Sequence, residues 1–199
     1  MTEFEYLAAF ISIVAGLGVA QTLSGITRLI HGRRTMVVDY VHLFWTASLL
    51  IWLIVFWWFS FSLSGVESWS IGHLLFVLSY PALIYLLLAL LYPTEMPQDF
   101  NTRDHIDANR AWIFLTLLCL GGIELTDAWY KGKSGLLPGN PGGLGPTAWY
   151  PGMMAIWMIG SAVAAWWSNR RFDQIFAAVF LLLSIAMLLV QGTLPEVES

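Results

Sequence analysis

The chain has 199 residues, of which 58% are hydrophobic and only 11% are charged. A soluble domain carries about a quarter charged residues, so most of this surface must face lipid rather than water. Nine basic residues against 13 acidic ones, with no basic run, argue against a nucleic-acid partner. The single cysteine excludes a disulfide within the chain. The composition therefore predicts an all-α domain whose main partner is the lipid bilayer.

Six long apolar runs follow one another, each of a length that crosses a hydrocarbon core about 30 Å thick. The opening residues are acidic where a signal peptide needs a basic region, so we expect the first run to be retained. The sequence therefore predicts a single transmembrane domain, 1–199, built as a bundle of six helices. The predicted spans are 4–30, 38–63, 69–92, 110–130, 150–167 and 172–191.

Basic residues gather at alternate ends of the predicted spans. Seven of the nine fall on one side of the membrane, and only Lys131 and Lys133 fall on the other. Because cytoplasmic loops hold an excess of Lys and Arg, the side with seven is predicted to be cytoplasmic, and both termini extracytoplasmic. The seven are Arg28, Arg33, Arg34, Arg103, Arg110, Arg170 and Arg171.

Aromatic residues cluster near the ends of the predicted spans. Tryptophan and tyrosine are enriched at both membrane interfaces, where their amphipathic rings lie at the level of the head groups. We therefore expect these rings at the membrane surface. They are Tyr6, Trp69, Tyr92, Trp112, Trp129, Tyr130, Trp149, Tyr150, Trp166 and Trp167.

The first predicted helix carries a series of short motifs, and two more occur later in the chain. They are Phe4-Glu5-Tyr6, Ser12-Ile13, Gly16-Leu17-Gly18, Leu23-Ser24-Gly25, Arg28-Leu29, Trp57-Trp58 and Tyr92-Pro93. With these motifs the chain resembles, over much of its length, a group of small bacterial six-helix inner-membrane proteins. The group has no assigned activity, so the resemblance implies a location in the bacterial cytoplasmic membrane and no particular function.

Small residues recur at three- and four-residue steps along the first predicted helix. Lipid gives little hydrophobic drive between helices, so close approach at small residues supplies the packing. We expect these stripes to pack inside the bundle or between the subunits of a homo-oligomer. Gln21 lies between them, and its amide is expected to bond across a helix interface. One stripe is Ala15, Gly18, Thr22 and Gly25, and the other is Ser12, Gly16 and Ala20.

Glu124 stands about 21 Å along its predicted helix from Arg110, at 1.5 Å per residue. A carboxylate at such a depth normally faces the bundle interior or a wet cavity and marks a functional site. Asp127 lies on the same helix face, and His73 enters the membrane from the same side. The sequence therefore predicts a proton or cation site at Glu124, Asp127 and His73. The alternatives are a hydrated helix end, with Asp127 paired to Lys131, and a lone interfacial histidine.

Three further polar features have structural interpretations. Pro81 removes a backbone hydrogen bond in the middle of the third span, which predicts a kink or a hinge there. Asp39 and His42 are expected to anchor the start of the second span against Arg33 or Arg34. No ligand spacing indicates a metal, and the histidines lie at unmatched depths for haem, so no cofactor is predicted.

The function is predicted less sharply than the fold. The sequence has no phosphate loop, nucleophile elbow or zinc-protease motif, which argues against an enzyme, although an intramembrane enzyme acting on lipid stays open. The leading hypothesis is a small homo-oligomeric channel or transporter for protons or small cations. The alternative is a non-transporting sensor, scaffold or accessory subunit whose 93–109 segment meets a cytoplasmic partner. The Gly- and Pro-rich stretch 132–146 is expected to be an external loop.

Overall fold

A computed structural model describes residues 3–65, 69–133 and 149–191, and these are helical almost throughout. The all-α class is confirmed for the described residues, where the only strand-like pairing is an isolated bridge between Val37 and Asn101. Most of the predicted external loop lies outside the described residues. The helices are α1 (Glu3–His31), α2 (Tyr40–Phe59), α3 (Ile71–Leu91), α4 (Thr102–Ala108), α5 (Arg110–Lys133), α6 (Tyr150–Trp166) and α7 (Arg170–Gln191), with a 3-10 helix at Ser60–Gly65.

Five of these helices are long and apolar enough to cross a membrane, so the chain is a multi-pass membrane protein. They are Phe4–His31, Tyr40–Trp58, Ile71–Leu91, Arg110–Tyr130 and Arg170–Leu189. Helix α6, in the predicted fifth span, has 17 residues. At 1.5 Å per residue it is about 26 Å long, at the short end of spanning lengths. A sixth crossing therefore stays a prediction.

Short polar side chains fix the starts of several helices by accepting hydrogen bonds from the first free backbone N–H groups. Asp39 accepts from Val41 at 2.9 Å, and Ser70 accepts from His73 at 3.1 Å. Helices α2 and α3 consequently begin at residues 40 and 71, slightly after the predicted starts. Asn169 caps α7, which begins at residue 170, slightly before its predicted start.

The long helices pack side by side in a closed ring. Helix α1 packs against α3, α3 against α5, α5 against α6, α6 against α7, and α7 against α2, which returns to α1 and α3. The short helix α4 packs across one end of the ring, against α2, α3 and α5. That end, where α1, α3 and α6 finish and α2, α5 and α7 begin, is called the arginine end below.

Aromatic rings fill the interior between α2, α5, α6 and α7. Trp52 contacts Trp157 with ring centroids 4.8 Å apart, and both rings contact Phe180. The indole of Trp52 donates to the hydroxyl of Ser184 at 3.0 Å, and that of Trp157 donates to the carbonyl of Leu117 at 2.9 Å. These bonds satisfy the buried indole N–H groups, and they connect α2 with α7 and α5 with α6.

A buried ion pair joins the helices at the arginine end. Arg110, at the first position of α5, donates to both carboxylate oxygens of Asp173 at 2.6 and 3.0 Å. It also donates to Asp107 at 2.6 Å and to the carbonyl of Ala164 at 2.9 Å. Arg110 is 7% exposed and Asp173 is 5% exposed. One guanidinium therefore connects α4, α5, α6 and α7.

The predicted anchoring of Asp39 and His42 by Arg33 or Arg34 is wrong. Asp39 pairs with Arg103 of α4 at 3.7 Å, while Arg33 and Arg34 are exposed. His42 is buried, and its Nε2 lies 3.1 Å from the carbonyl of Leu91. The prediction failed because the partners come from α4 and α3, distant in sequence, rather than from the adjoining loop.

The carboxyl end of α3 is held by side chains from three other helices. The last carbonyls of a helix have no partner within it, so donors from outside must satisfy them. The observed pairs are His105 with Leu90 at 2.7 Å, His42 with Leu91 at 3.1 Å, Gln21 with Tyr92 at 2.8 Å, and Arg28 with Thr94. These contacts fix α3 relative to α1, α2 and α4.

Candidate functional site

Glu124 lies where α3, α5 and α6 meet. The hydroxyl of Tyr150, the first residue of α6, donates to Oε1 of Glu124 at 2.7 Å. Tyr80 on α3 lies beside the same carboxylate, close enough for the two groups to interact electrostatically. Both tyrosines are buried, so the carboxylate points into the bundle rather than towards the head groups. One phenol therefore hydrogen-bonds the Glu124 carboxylate, and a second phenol, from a neighbouring helix, lies beside it.

Asp127 lies one turn further along α5 and belongs to the same polar group. Its carboxylate acts electrostatically on the hydroxyls of both Tyr80 and Tyr150. Asp127 and Tyr80 also line one small cavity between α2, α3 and α5. The cavity has a volume of about 10 Å³, which is roughly the space that one water molecule needs. Both side chains therefore border the same water-sized space.

His73 is placed by aromatic contacts near the start of α3. Its ring stacks on Trp69 at 4.6 Å between centroids, and it meets Tyr130 of α5 edge-on at 5.3 Å. Tyr130 is three residues beyond Asp127 on α5, so His73 lies closer to the helix end than the Glu124 group. These contacts fit an interfacial histidine, and its participation in the Glu124 site stays a prediction.

Pro81 follows Tyr80 directly in the middle of α3. The helix continues through it from residue 71 to residue 91. Proline has no N–H, so it cannot donate to the carbonyl of Val77 one turn earlier. Val77 lines the same cavity as Asp127 and Tyr80. Pro81 thereby leaves a carbonyl without its usual helical donor beside the cavity.

One small-residue stripe of α1 faces its own bundle. A Cβ on Gly25 would overlap the ring of Tyr92, and a Cβ on Gly18 would lie 3.2 Å from Leu53 of α2. Thr22 between them is fully buried, and its hydroxyl donates to the carbonyl of Gly18 at 2.9 Å. Gly18, Thr22 and Gly25 therefore let α1 approach α2 and α3 closely. The amide of Gln21 crosses the same interface to α3.

The side chains of Tyr92 and Tyr150, both near predicted span ends, point into the bundle and not towards its outer surface. Both are 0% exposed. Tyr92 meets His42 edge-on and its hydroxyl lies 2.9 Å from that of Thr46, while Tyr150 bonds Glu124. Position along the sequence gave their depth but not the direction in which the side chain points. The role of Tyr150 beside Glu124 was missed for this reason.

The Glu124 group is chemically able to exchange a proton. A carboxylate held by a phenolic hydroxyl can take up a proton without any change in its neighbours' positions, and hydroxyls and water conduct protons along hydrogen bonds. In the part of the chain that the structure describes, no group of three His, Cys, Asp or Glu side chains could hold a metal ion.

No protein family, curated protein or solved structure matches the chain. Its functional interpretation therefore depends on the geometry above.

Proposed function

We propose that the protein is a multi-pass carrier of the bacterial inner membrane that moves protons or small cations through the Glu124 site. The observation that carries this proposal is the carboxylate of Glu124, held inside the bundle by the hydroxyl of Tyr150 with Tyr80 beside it. Ionisable residues at such depth are expensive and usually line a substrate or ion pathway. A structural role alone would be served by an amide at lower energetic cost.

A carrier fits the bundle better than an open channel. The interior between α2, α5, α6 and α7 is packed with tryptophan and phenylalanine rings. A packed interior has to rearrange before an ion can pass, as happens when a carrier exposes one site alternately to each side. The Glu124 site lies at the α3–α5–α6 junction, beside this packed region rather than within it.

The experiment is an ion-flux assay on the purified protein in liposomes. We expect proton or sodium uptake with wild type and a loss of about 100-fold with Glu124→Gln, the scale of effect of a positioned proton-transfer group. Glutamine keeps the shape, and its Oε1 can still accept from the hydroxyl of Tyr150, so the fold should survive. Asp104→Asn is the matched control, because Asp104 is an exposed carboxylate on α4.

Orientation and six-span topology form part of the proposal. With seven of nine basic residues at the arginine end, that end would face the cytoplasm and both termini would lie outside. Site-directed labelling of a cysteine at exposed Asp99 and of another at Tyr6, in sealed cells, tests this. Labelling of Asp99→Cys from outside would contradict the orientation.

A homo-oligomer is supported by the second stripe of α1. Gly16 has nothing within 4 Å of the position where a Cβ would stand, and Ser12 and Ala20 are exposed on the same side. Gly16→Leu should therefore lower the mass of the purified particle and leave its melting temperature unchanged. An unchanged mass would show that this stripe faces lipid.

The alternative, a non-transporting protein with a cytoplasmic partner, is favoured by the shape of the 93–109 segment. This segment forms an open groove of about 420 Å³ whose lining includes Glu95, Asp99, Asp104 and His105. Contacts of Arg103 with Asp39 and of His105 with Leu90 attach the segment to the bundle. This alternative predicts no flux in liposomes and no effect of Glu124→Gln.

A further inference from the structure

The cavity beside Tyr80 and Asp127 has the size of one water molecule and polar groups at which to hold it. Tyr80, Asp127 and Ser60 line it, and the remaining lining is apolar. A buried water needs two to four polar partners to be stable, and these groups supply that number.

The cavity also connects the groups of the site in one order, from Asp127 through Tyr80 to Glu124. Asp127 is nearer the end of α5, Tyr80 lines the cavity with it, and Tyr80 in turn lies beside Glu124. The titratable groups that the described residues bring to Glu124 are Tyr80 from α3, Tyr150 from α6 and Asp127 from α5 itself. His73 and Tyr130 lie further towards the helix end.

We infer that the species taken up at Glu124 is a proton, which arrives from Asp127 through one water molecule and the hydroxyl of Tyr80. This inference rests on the proposed function and names its substrate. A cation such as Mg²⁺ or Ca²⁺ needs about six oxygen ligands or its own water shell, and a cavity of about 10 Å³ has no room for that shell. A proton needs only the chain of O–H groups.

The transfer conserves every atom of the relay. The carboxyl of Asp127 gives its proton to the water, the water passes one of its own protons to the oxygen of Tyr80, and Tyr80 passes its original proton to Glu124. Asp127 ends ionised and Glu124 ends protonated. The water and the tyrosine are unchanged, so only O–H bonds have formed and broken. Tyr150 holds the second side of Glu124 throughout.

The first test fills the cavity without removing any titratable group. Val77→Ile adds one methyl group, which is close to the size of the water it would displace. We expect proton uptake into liposomes to fall about 100-fold, as when a proton-transfer group is lost, with an unchanged melting temperature. Val55→Ile is the matched control, because Val55 is a buried valine of α2 outside the cavity lining. Proton uptake at the wild-type rate in Val77→Ile would overturn the relay.

The second test removes the relay hydroxyl while keeping the ring. Tyr80→Phe preserves the stacking on Phe56, with centroids 4.4 Å apart, and should slow proton uptake as strongly as Val77→Ile. Tyr85→Phe is its control, since Tyr85 is an exposed tyrosine of the same helix. If Val77→Ile does not fold, Asp127→Asn takes its place. Wild-type uptake in Tyr80→Phe would contradict the inference.

Supplying two different ions to the liposomes distinguishes a failure of the proton relay from a failure of the proposed carrier function. The liposomes are given a proton gradient in one arm and a sodium gradient at constant pH in the other. Proton uptake without sodium uptake supports both proposals. Sodium uptake without proton uptake, lost in Glu124→Gln, overturns the proton relay and leaves the carrier function standing. Uptake of neither ion overturns the carrier function, and the relay with it.

Discussion

The ion pair between Arg110 and Asp173 should be the most sensitive point of the arginine end. Arg110→Met removes three charge-assisted hydrogen bonds to carboxylates, two to Asp173 and one to Asp107. Asp173 is 5% exposed, so it would be left as an uncompensated buried charge. Breaking a buried pair in this way costs about 3–5 kcal/mol. We expect the free energy of unfolding to fall by about 4 kcal/mol.

The measurement is equilibrium unfolding in mixed detergent micelles, followed by the helical circular dichroism signal. Two variants make the reasoning testable. Adding Asp173→Leu to Arg110→Met removes the stranded charge and should restore stability to within about 1 kcal/mol of wild type. Arg103→Met is the matched control: Arg103 is more exposed and its carboxylate contacts are longer, at 3.6 and 3.7 Å.

Arg103→Met should lower the free energy of unfolding by only about 0–1 kcal/mol, as expected for an ion pair that solvent screens. Equal losses in Arg103→Met and Arg110→Met would refute the reasoning, because burial would then have no influence on the outcome. A double variant no more stable than Arg110→Met would also refute it. In that case the loss would come from the guanidinium's bonds to the carbonyls of Ala164 and Trp167.

Three further predictions concern packing. Gly25→Ala should lower the free energy of unfolding by about 1–3 kcal/mol, since its methyl group would overlap the ring of Tyr92, whereas Gly16→Ala should cost less than about 1 kcal/mol in the same unfolding assay. Gly18→Leu should destabilise more than Gly18→Ala, because only the longer side chain forces α1 away from α2; equal melting temperatures would contradict this. Trp52→Phe should lower the free energy of unfolding by about 1 kcal/mol more in the wild-type protein than in a protein that already carries Ser184→Ala, and a double-mutant cycle measures this difference.

The apolar spans were predictable because a helix that crosses lipid has to be apolar over nearly its whole length, and such long runs are easy to recognise in a sequence. Hydropathy found the five long helices to within a few residues, and α6 at its predicted place. The remaining boundary shifts came from caps such as Asp39 and Ser70, which set where a helix begins. Helix α4 was not predicted, since its seven residues carry too short a pattern to separate from a polar loop.

The candidate site was only partly predictable. Glu124 and Asp127 could be found because a carboxylate at depth is unusual in any single sequence. Tyr150 and Tyr80 could not be assigned to Glu124, because a tyrosine near a span end or in a span has several ordinary roles. Arg110 illustrates the same limit: it was counted as a basic residue at the membrane surface, and it is buried against Asp173, 63 residues away in sequence. The sequence indicates how far along its helix a residue lies, whereas the direction in which its side chain points depends on how the helices pack.

Infrared difference spectroscopy of the protein in liposomes tests most directly whether Glu124 takes up a proton. A protonated carboxylic acid in an apolar site has a distinct C=O stretching band, which appears on acidification and disappears as the group ionises. We predict a band from Glu124 in wild type that is absent in Glu124→Gln, is shifted in Tyr150→Phe through loss of the 2.7 Å hydrogen bond, and is unchanged in Asp104→Asn. An identical band in wild type and Glu124→Gln would contradict the account.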